Sequence, residues 1–203
     1  MADGKMVMDL RNRTGAGIVD CKKALEEAHD DMDQAIEILK KKGAAKAAKK
    51  NAERTTSEGV VATYVHHNRK LATMIEVQCE TDFVARNESF IAFANELAMQ
   101  VAAYNPEFVS PEMIPVEIVE KQRASFAAEM VDEKKPEDIK AKIIEGKLTK
   151  WYTDVCLTKQ AFYKDEDTTV EQLITAQIAK IGEKIVVARF VRFEMSPAPA
   201  ATE

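Results

Sequence analysis

A thiol with a histidine base is the most reactive pairing these side chains offer, and Cys79 with His66 or His67 is the candidate. Spacing argues against it. His67-Asn68-Arg69 reads as a turn between two alternating segments, so His67 opens the turn and Cys79 closes the returning strand. About ten intervening residues at ~3.3 Å each set the two about 30 Å apart. Cys79 also shares the apolar face of its strand, where a thiol behaves as a small buried hydrophobe. Cys156, between Val155 and Leu157, reads as core as well. His29-Asp30-Asp31-Met32-Asp33 has the composition of a cation loop but lacks the glycine and distal glutamate of a calcium site. Helix capping accounts better for its acids. Gly15 and Gly17 make no dinucleotide fingerprint, since no strand precedes them and no third glycine follows at the needed spacing. No phosphate-binding loop sequence occurs. The expectation is a chain with no catalytic residue, metal or cofactor of its own, and so not an enzyme.

One stretch is left over: Cys79-Glu80-Thr81-Asp82-Phe83-Val84-Ala85-Arg86-Asn87. It lies where a strand hands over to a helix, and side chains there project from a rigid base. Two readings are open on spacing alone. Thr81 or Asp82 caps a short helical turn while Phe83 folds into the core, or the tip is offered to a partner.

The elements that position this tip follow from hydrophobic period. Val7, Leu10 and Arg11 suit a short helix, broken by Thr14-Gly15-Ala16-Gly17. Helix restarts over Ile18 to Ala28. Asp30-Asp31 caps a third, with Met32, Ala35, Ile36 and Leu39 at helical spacing and Gly43 placed as its stop. Gly59 to His66 and Leu71 to Cys79 read as a β-hairpin, with Leu71, Thr73, Ile75, Val77 and Cys79 on the buried face. Asn87 caps a helix whose apolar face is Phe90, Phe93, Ala94, Leu97, Ala98 and Val101. Helices follow over Val116 to Met130 and from Pro136, the latter with Ile139, Ile143, Leu148, Trp151 and Val155 inward. Two capping-box spacings in Thr168 to Gln172 open a helix that buries Val170, Leu173, Ile174, Ile178 and Ile181. Lys184 to Glu194 alternates and is predicted to pair with the hairpin. Pro/Ala-rich Ser196 to Glu203 reads as a flexible tail.

Charge and composition exclude several classes. Lys plus Arg total 29 and Asp plus Glu 34, a net charge of -5, which opposes a dedicated nucleic-acid binder. Lys40, Lys41, Lys42, Lys46, Lys49, Lys50 and Arg54 stand against Glu53 alone, yet no aromatic is interleaved to stack on bases. A partly helical, solvated Ala/Lys spacer explains them. Three scattered cysteines form neither a disulfide framework nor a zinc knuckle. No apolar run approaches the ~20 residues of a membrane span. The start of the chain lacks the apolar core of a signal peptide. The expectation is cytoplasmic, with neither membrane nor nucleic acid as a partner.

Two stretches carry a resemblance. They are Leu10-Arg11-Asn12-Arg13-Thr14-Gly15-Ala16-Gly17-Ile18-Val19-Asp20-Cys21-Lys22-Lys23-Ala24-Leu25 and Cys79 to Asn87 with Phe90. On these, and on the ending Ile185 to Glu194, the chain resembles the elongation factor Ts family over nearly its whole length. The resemblance implies an α+β protein in four parts. These are a ubiquitin-associated-like three-helix domain at 1–44, an Ala/Lys-rich linker at 45–55, a core of a small antiparallel sheet packed with helices at 56–195, and a tail at 196–203. It implies a translation elongation factor that exchanges guanine nucleotide on elongation factor Tu. Mapped here, Phe83 is the wedge beside the partner's nucleotide and Mg²⁺ site, Asp82 is its acidic neighbour, and Thr81 and Val84 complete the motif. Arg11, Ile18 and Val19 make a second contact. Many relatives have two methionines where this chain has Ile18-Val19, so that contact is apolar but stiffer. Longer members carry a second core half and a projecting helical hairpin, and this chain lacks room for both. A half-core leaves apolar surface for a second copy, so a homodimer is expected. The rival reading is a non-catalytic protein-binding adaptor that uses the N-terminal helices.

Overall fold

The computed structural model of the chain describes residues 3–130, 133 and 136–195. The expected tail at 196–203 lies outside them. The fold mixes helix and sheet, the α+β class. It divides into two compact units. One gathers the chain up to Val60, Val77–Ile91 and Glu171–Val186. The other holds Val61–Glu76, Ala92–Val170 and the chain from Val187 on.

The first unit begins with α1 (Gly4–Thr14), α2 (Ile18–Glu27) and α3 (Met32–Glu53). The Asp3 side chain caps α1, and Asp31 caps α3 by accepting from the Gln34 amide at 2.9 Å. Gly15 ends α1 at φ +68°, a left-handed conformation that only glycine adopts cheaply, and its N–H donates to Arg11 O at 2.7 Å. Val7, Leu10, Cys21, Ala24, Leu25, Ala28, Ala35 and Leu39 form the buried core of these three helices.

The expected stop at Gly43 is not observed, because α3 runs through it to Glu53. Gly43 has no positive φ. It packs beside α8, with room for a methyl: a Cβ there would make ordinary contact with that of Ala179, at 3.6 Å. Ala47, one turn on, is buried as well. The basic segment is thus helical, as its composition predicts, with one small-residue face packed.

The sheet has strand order β1-β2-β5, from β1 (Glu58–Val65), β2 (Leu71–Cys79) and β5 (Val186–Glu194). Thr73, Ile75, Val77 and Cys79 are buried on alternate positions of β2, as the period of two requires. Gly59 is needed for close approach, since a Cβ there would stand 2.3 Å from Val77 O. After the one-turn α4 (Asp82–Ala85), α5 (Glu88–Tyr104) buries Phe90, Phe93, Ala94, Leu97, Ala98 and Val101. The Asn87 side chain caps it by accepting from the Ser89 amide at 2.8 Å.

In the second unit, α6 (Val116–Ala128) and α7 (Glu137–Val155) pack as a helical hairpin, tied by the Arg123–Glu145 and Lys147–Glu129 ion pairs. Leu148 and Val155 are buried, but Ile139, expected inward, is 43% exposed. Ile139 lies in the first turn of α7, more than two turns before the buried Leu148. A two-stranded ribbon, β3 (Ala161–Phe162) with β4 (Asp165–Thr169), was not anticipated. Buried Gln100 on α5 pins it: its amide donates to Ala161 O at 3.0 Å, and its oxygen accepts from the Tyr163 amide at 2.9 Å. Helix α8 (Val170–Ile181) buries Val170 and Ile178 and half-buries Leu173, Ile174 and Ile181, and from Glu171 on it belongs to the first unit.

Candidate functional site

The strand-to-helix handover holds four of the seven residues singled out from sequence: Thr81, Asp82, Phe83 and Val84. Thr81 is the N-cap of α4, its hydroxyl accepting from the Val84 amide at 3.4 Å. Asp82 follows in the first turn, where a carboxylate favours the helix N-terminus, and pairs with Arg86 at 3.2 Å. Ala85 is buried and anchors the turn from below. The capping reading of Thr81 therefore holds, but the accompanying idea that Phe83 folds into the core does not. Phe83 is 83% exposed. Buried Ala85 takes the inward direction of this single helical turn, and Phe83 points outward.

A network from elsewhere in the first unit fixes this turn. Gly182 ends α8 at φ +88°, its amide bonded to Ile178 O at 2.9 Å. The chain then brings Glu183 to the handover. One carboxylate oxygen of Glu183 accepts from the Glu80 amide and the Thr81 amide, each at 3.1 Å, and the other from the Thr81 hydroxyl at 2.6 Å. Glu80 accepts from both Arg54 at 3.0 Å and the Lys184 amide at 2.5 Å. Burial pulls the Glu80 carboxyl upward, but the Lys184 amide and the Arg54 guanidinium outweigh it, and its pKa lies below the usual glutamate value. Lys184 Nζ donates to Arg54 O at 2.8 Å, and Lys50 Nζ to Gly182 O at 2.6 Å. Sequence reasoning missed Glu183 and Arg54. The Gly182 stop signal was available, but nothing local ties residue 183 to residue 81.

Cys79 belongs to the same frame. Its thiol donates to Thr81 O at 3.2 Å. Burial, then the Glu183 carboxylate, pushes its pKa up to about 11. Such a group is a hydrogen-bond donor and not a nucleophile at neutral pH. Cys156 is pushed to about 11 by burial and Glu112, and burial raises Cys21 too. The three cysteines are free and buried. Among the described residues no cluster of His, Cys, Asp and Glu is suited to hold a metal. No described helix is long and apolar enough to cross a membrane.

The other three candidates, Arg11, Ile18 and Val19, flank the α1–α2 turn in the same unit. Arg11 is exposed, Ile18 is 49% exposed and Val19 65%. The turn is stiff: the Thr14 hydroxyl donates to Leu10 O at 2.7 Å and accepts from the Ala16 amide at 3.3 Å. The Lys180 side chain of α8 lies against Gly15. All seven candidates are thus carried by one compact unit, each exposed or half-buried.

Comparison with known proteins agrees along the length of the chain. Residues 16–196 match the family described as elongation factor TS. The elongation factor Ts of Carboxydothermus hydrogenoformans is 49% identical over 203 residues, all of this chain and 93% of that protein. That of Thermosipho melanesiensis is 51% identical over 193 residues, 95% of this chain and 98% of that protein. That of Desulforamulus reducens is 52% identical over 190 residues, 94% of this chain and 87% of that protein. With a family match over most of its length and relatives of this identity spanning it end to end, the chain belongs to the elongation factor Ts family.

Proposed function

We propose that the chain binds elongation factor Tu and promotes release of GDP, with Phe83 wedging beside the partner's nucleotide and Mg²⁺ site. One observation carries this reading: an 83% exposed phenylalanine rides on a helical turn whose leading residues donate three hydrogen bonds to one carboxylate. An apolar ring held in water on a rigid base gains free energy when a partner's pocket covers it. Thr81, Asp82 and Val84 surround that contact, and Arg11, Ile18 and Val19 supply a second one.

Exchange makes and breaks no covalent bond. A factor that prefers the nucleotide-free GTPase lowers nucleotide affinity by the ratio of its own two affinities. Burying a phenylalanine is worth about 1.5–3 kcal/mol. Each ~1.4 kcal/mol of preferential stabilisation of the release transition state is tenfold in rate. The ring therefore accounts for roughly two orders of magnitude, and the wider interface supplies the remainder.

The factor acts in the cytoplasm as a homodimer through the sheet face turned away from α5. On that face Val61, Val65, Met74, Val191 and Phe193 are each 49% to 74% exposed, with the Arg189–Glu76 ion pair among them. A two-fold axis would bury the same patch on both copies. Nucleic acid and membrane play no part in this reading.

The deciding experiment is stopped-flow release of a fluorescent GDP analogue from elongation factor Tu. Release accelerated in proportion to added chain supports exchange. Binding without acceleration points to the adaptor reading and overturns it.

A further inference from the structure

We propose that Glu183 is a positioning residue for exchange: its carboxylate clamps the Glu80-Thr81 backbone and so holds Phe83 outward in its binding geometry before the partner arrives. The inference rests on the Phe83 wedge and extends it to a residue 100 positions away in sequence.

Thr81 is held at every polar atom. Its amide and hydroxyl both donate to Glu183, at 3.1 and 2.6 Å. Its carbonyl accepts from the Cys79 thiol at 3.2 Å and from the Ala85 amide at 3.1 Å. Three of the donors in this region, the Glu80 amide, Thr81 amide and Thr81 hydroxyl, converge on the one carboxylate of Glu183. Bonds to an ionised acceptor are about twice as strong as neutral ones. Glu183 is itself steered by neighbours on both sides. Gly182 makes the left-handed turn, with its carbonyl held by Lys50, and the Lys184 amide is held by Glu80.

The result is a closed circuit from α3 through the end of α8 to the handover. Arg54 and Lys50 come from or flank α3, Gly182 to Lys184 follow α8, and Glu80 and Thr81 precede α4. Four-residue α4 is too short to hold its own conformation in water. Without the clamp the turn frays and Phe83 samples many orientations. Binding would then carry the cost of ordering it, and pre-organisation removes that cost.

The test is a double-mutant cycle on the full chain, read as GDP-analogue release from elongation factor Tu. The variants are Glu183→Ala, Phe83→Ala and the pair. Glu183→Ala is expected to slow factor-stimulated release about tenfold, the equivalent of ~1.4 kcal/mol. In the Phe83→Ala background it should change the rate by less than about twofold, because a residue that acts through the ring has nothing left to position. Glu183→Gln keeps an oxygen acceptor and loses the charge, and should recover part of the rate. It carries the same cycle should the alanine variant unfold on circular dichroism. Amide hydrogen exchange at Glu80 and Thr81 should quicken in Glu183→Ala while the amides of Leu10 and Leu25 stay protected.

Slow release by Phe83→Ala with wild-type release by Glu183→Ala, or full additivity in the pair, overturns the positioning role and leaves the wedge standing. Wild-type release by Phe83→Ala overturns the wedge, and the role of Glu183 in exchange with it.

Discussion

Under the proposed wedge, replacing Phe83 with alanine separates function from folding. The ring is 83% exposed, so its loss opens no cavity. The turn beneath it is held by Thr81, Ala85 and Glu183, none of which the substitution touches. Folding stability should change by no more than about 0.5 kcal/mol, the range of ordinary surface substitutions. In the proposed wedge the same ring would go from water into a pocket of the partner. Taking about 2–3 kcal/mol for that burial, factor-stimulated GDP release should slow by roughly 30- to 150-fold. The assay is stopped-flow release of a fluorescent GDP analogue at saturating and at limiting factor, with a thermal melt of each variant alongside. A variant with the wild-type melt and release within about twofold of wild type would refute the reasoning, because an exposed ring that fills a pocket has to matter at about the energy of its burial.

Four further outcomes follow from the same geometry. Phe193→Asp or Val61→Asp places a charge on the open sheet face, and light scattering at micromolar concentration should then give the monomer mass where the parent gives the dimer; a parent of monomer mass would refute the dimer. Glu80 has a lowered pKa in the folded state, so its stabilisation is complete above the unfolded carboxyl range and fades as pH falls through the folded value; the stability gap between the parent and Glu80→Gln should be flat near neutrality and close below about pH 4. With its pKa near 11 against an ordinary 9.0, Cys79 should be alkylated about a hundredfold more slowly at pH 8 than an unhindered thiol, as read by mass spectrometry. Gly43→Ala fits beside Ala179 at 3.6 Å and should stabilise α3 by about 0.5–1 kcal/mol, whereas Gly59→Ala drives a methyl to 2.3 Å from Val77 O and should cost about 3 kcal/mol in chemical denaturation.

Local chemistry made much of the architecture readable. The 3.6 period in Phe90 to Val101 and the alternation in Leu71 to Cys79 each bury one face, and burial is what those periods report. Gly15 and Asp31 act within a few bonds of themselves, so the breaks between α1, α2 and α3 could be read directly. The two motifs around Arg11 to Val19 and Thr81 to Val84 were legible as words and carried the resemblance to the family, to which the chain belongs. Tertiary packing decided the rest. Gly43 looks like a stop and lies inside α3, because the helix continues through it and packs beside Ala179. The acidic β4 has little strand propensity of its own, and its ribbon is pinned by Gln100 from a different helix. Above all, an apolar residue beside a cap reads as core until the fold shows which directions are already taken. Phe83 faces water because Ala85 occupies the inner side of a single turn, and Glu183, supplied by the far end of another helix, bonds the residues that lead into it.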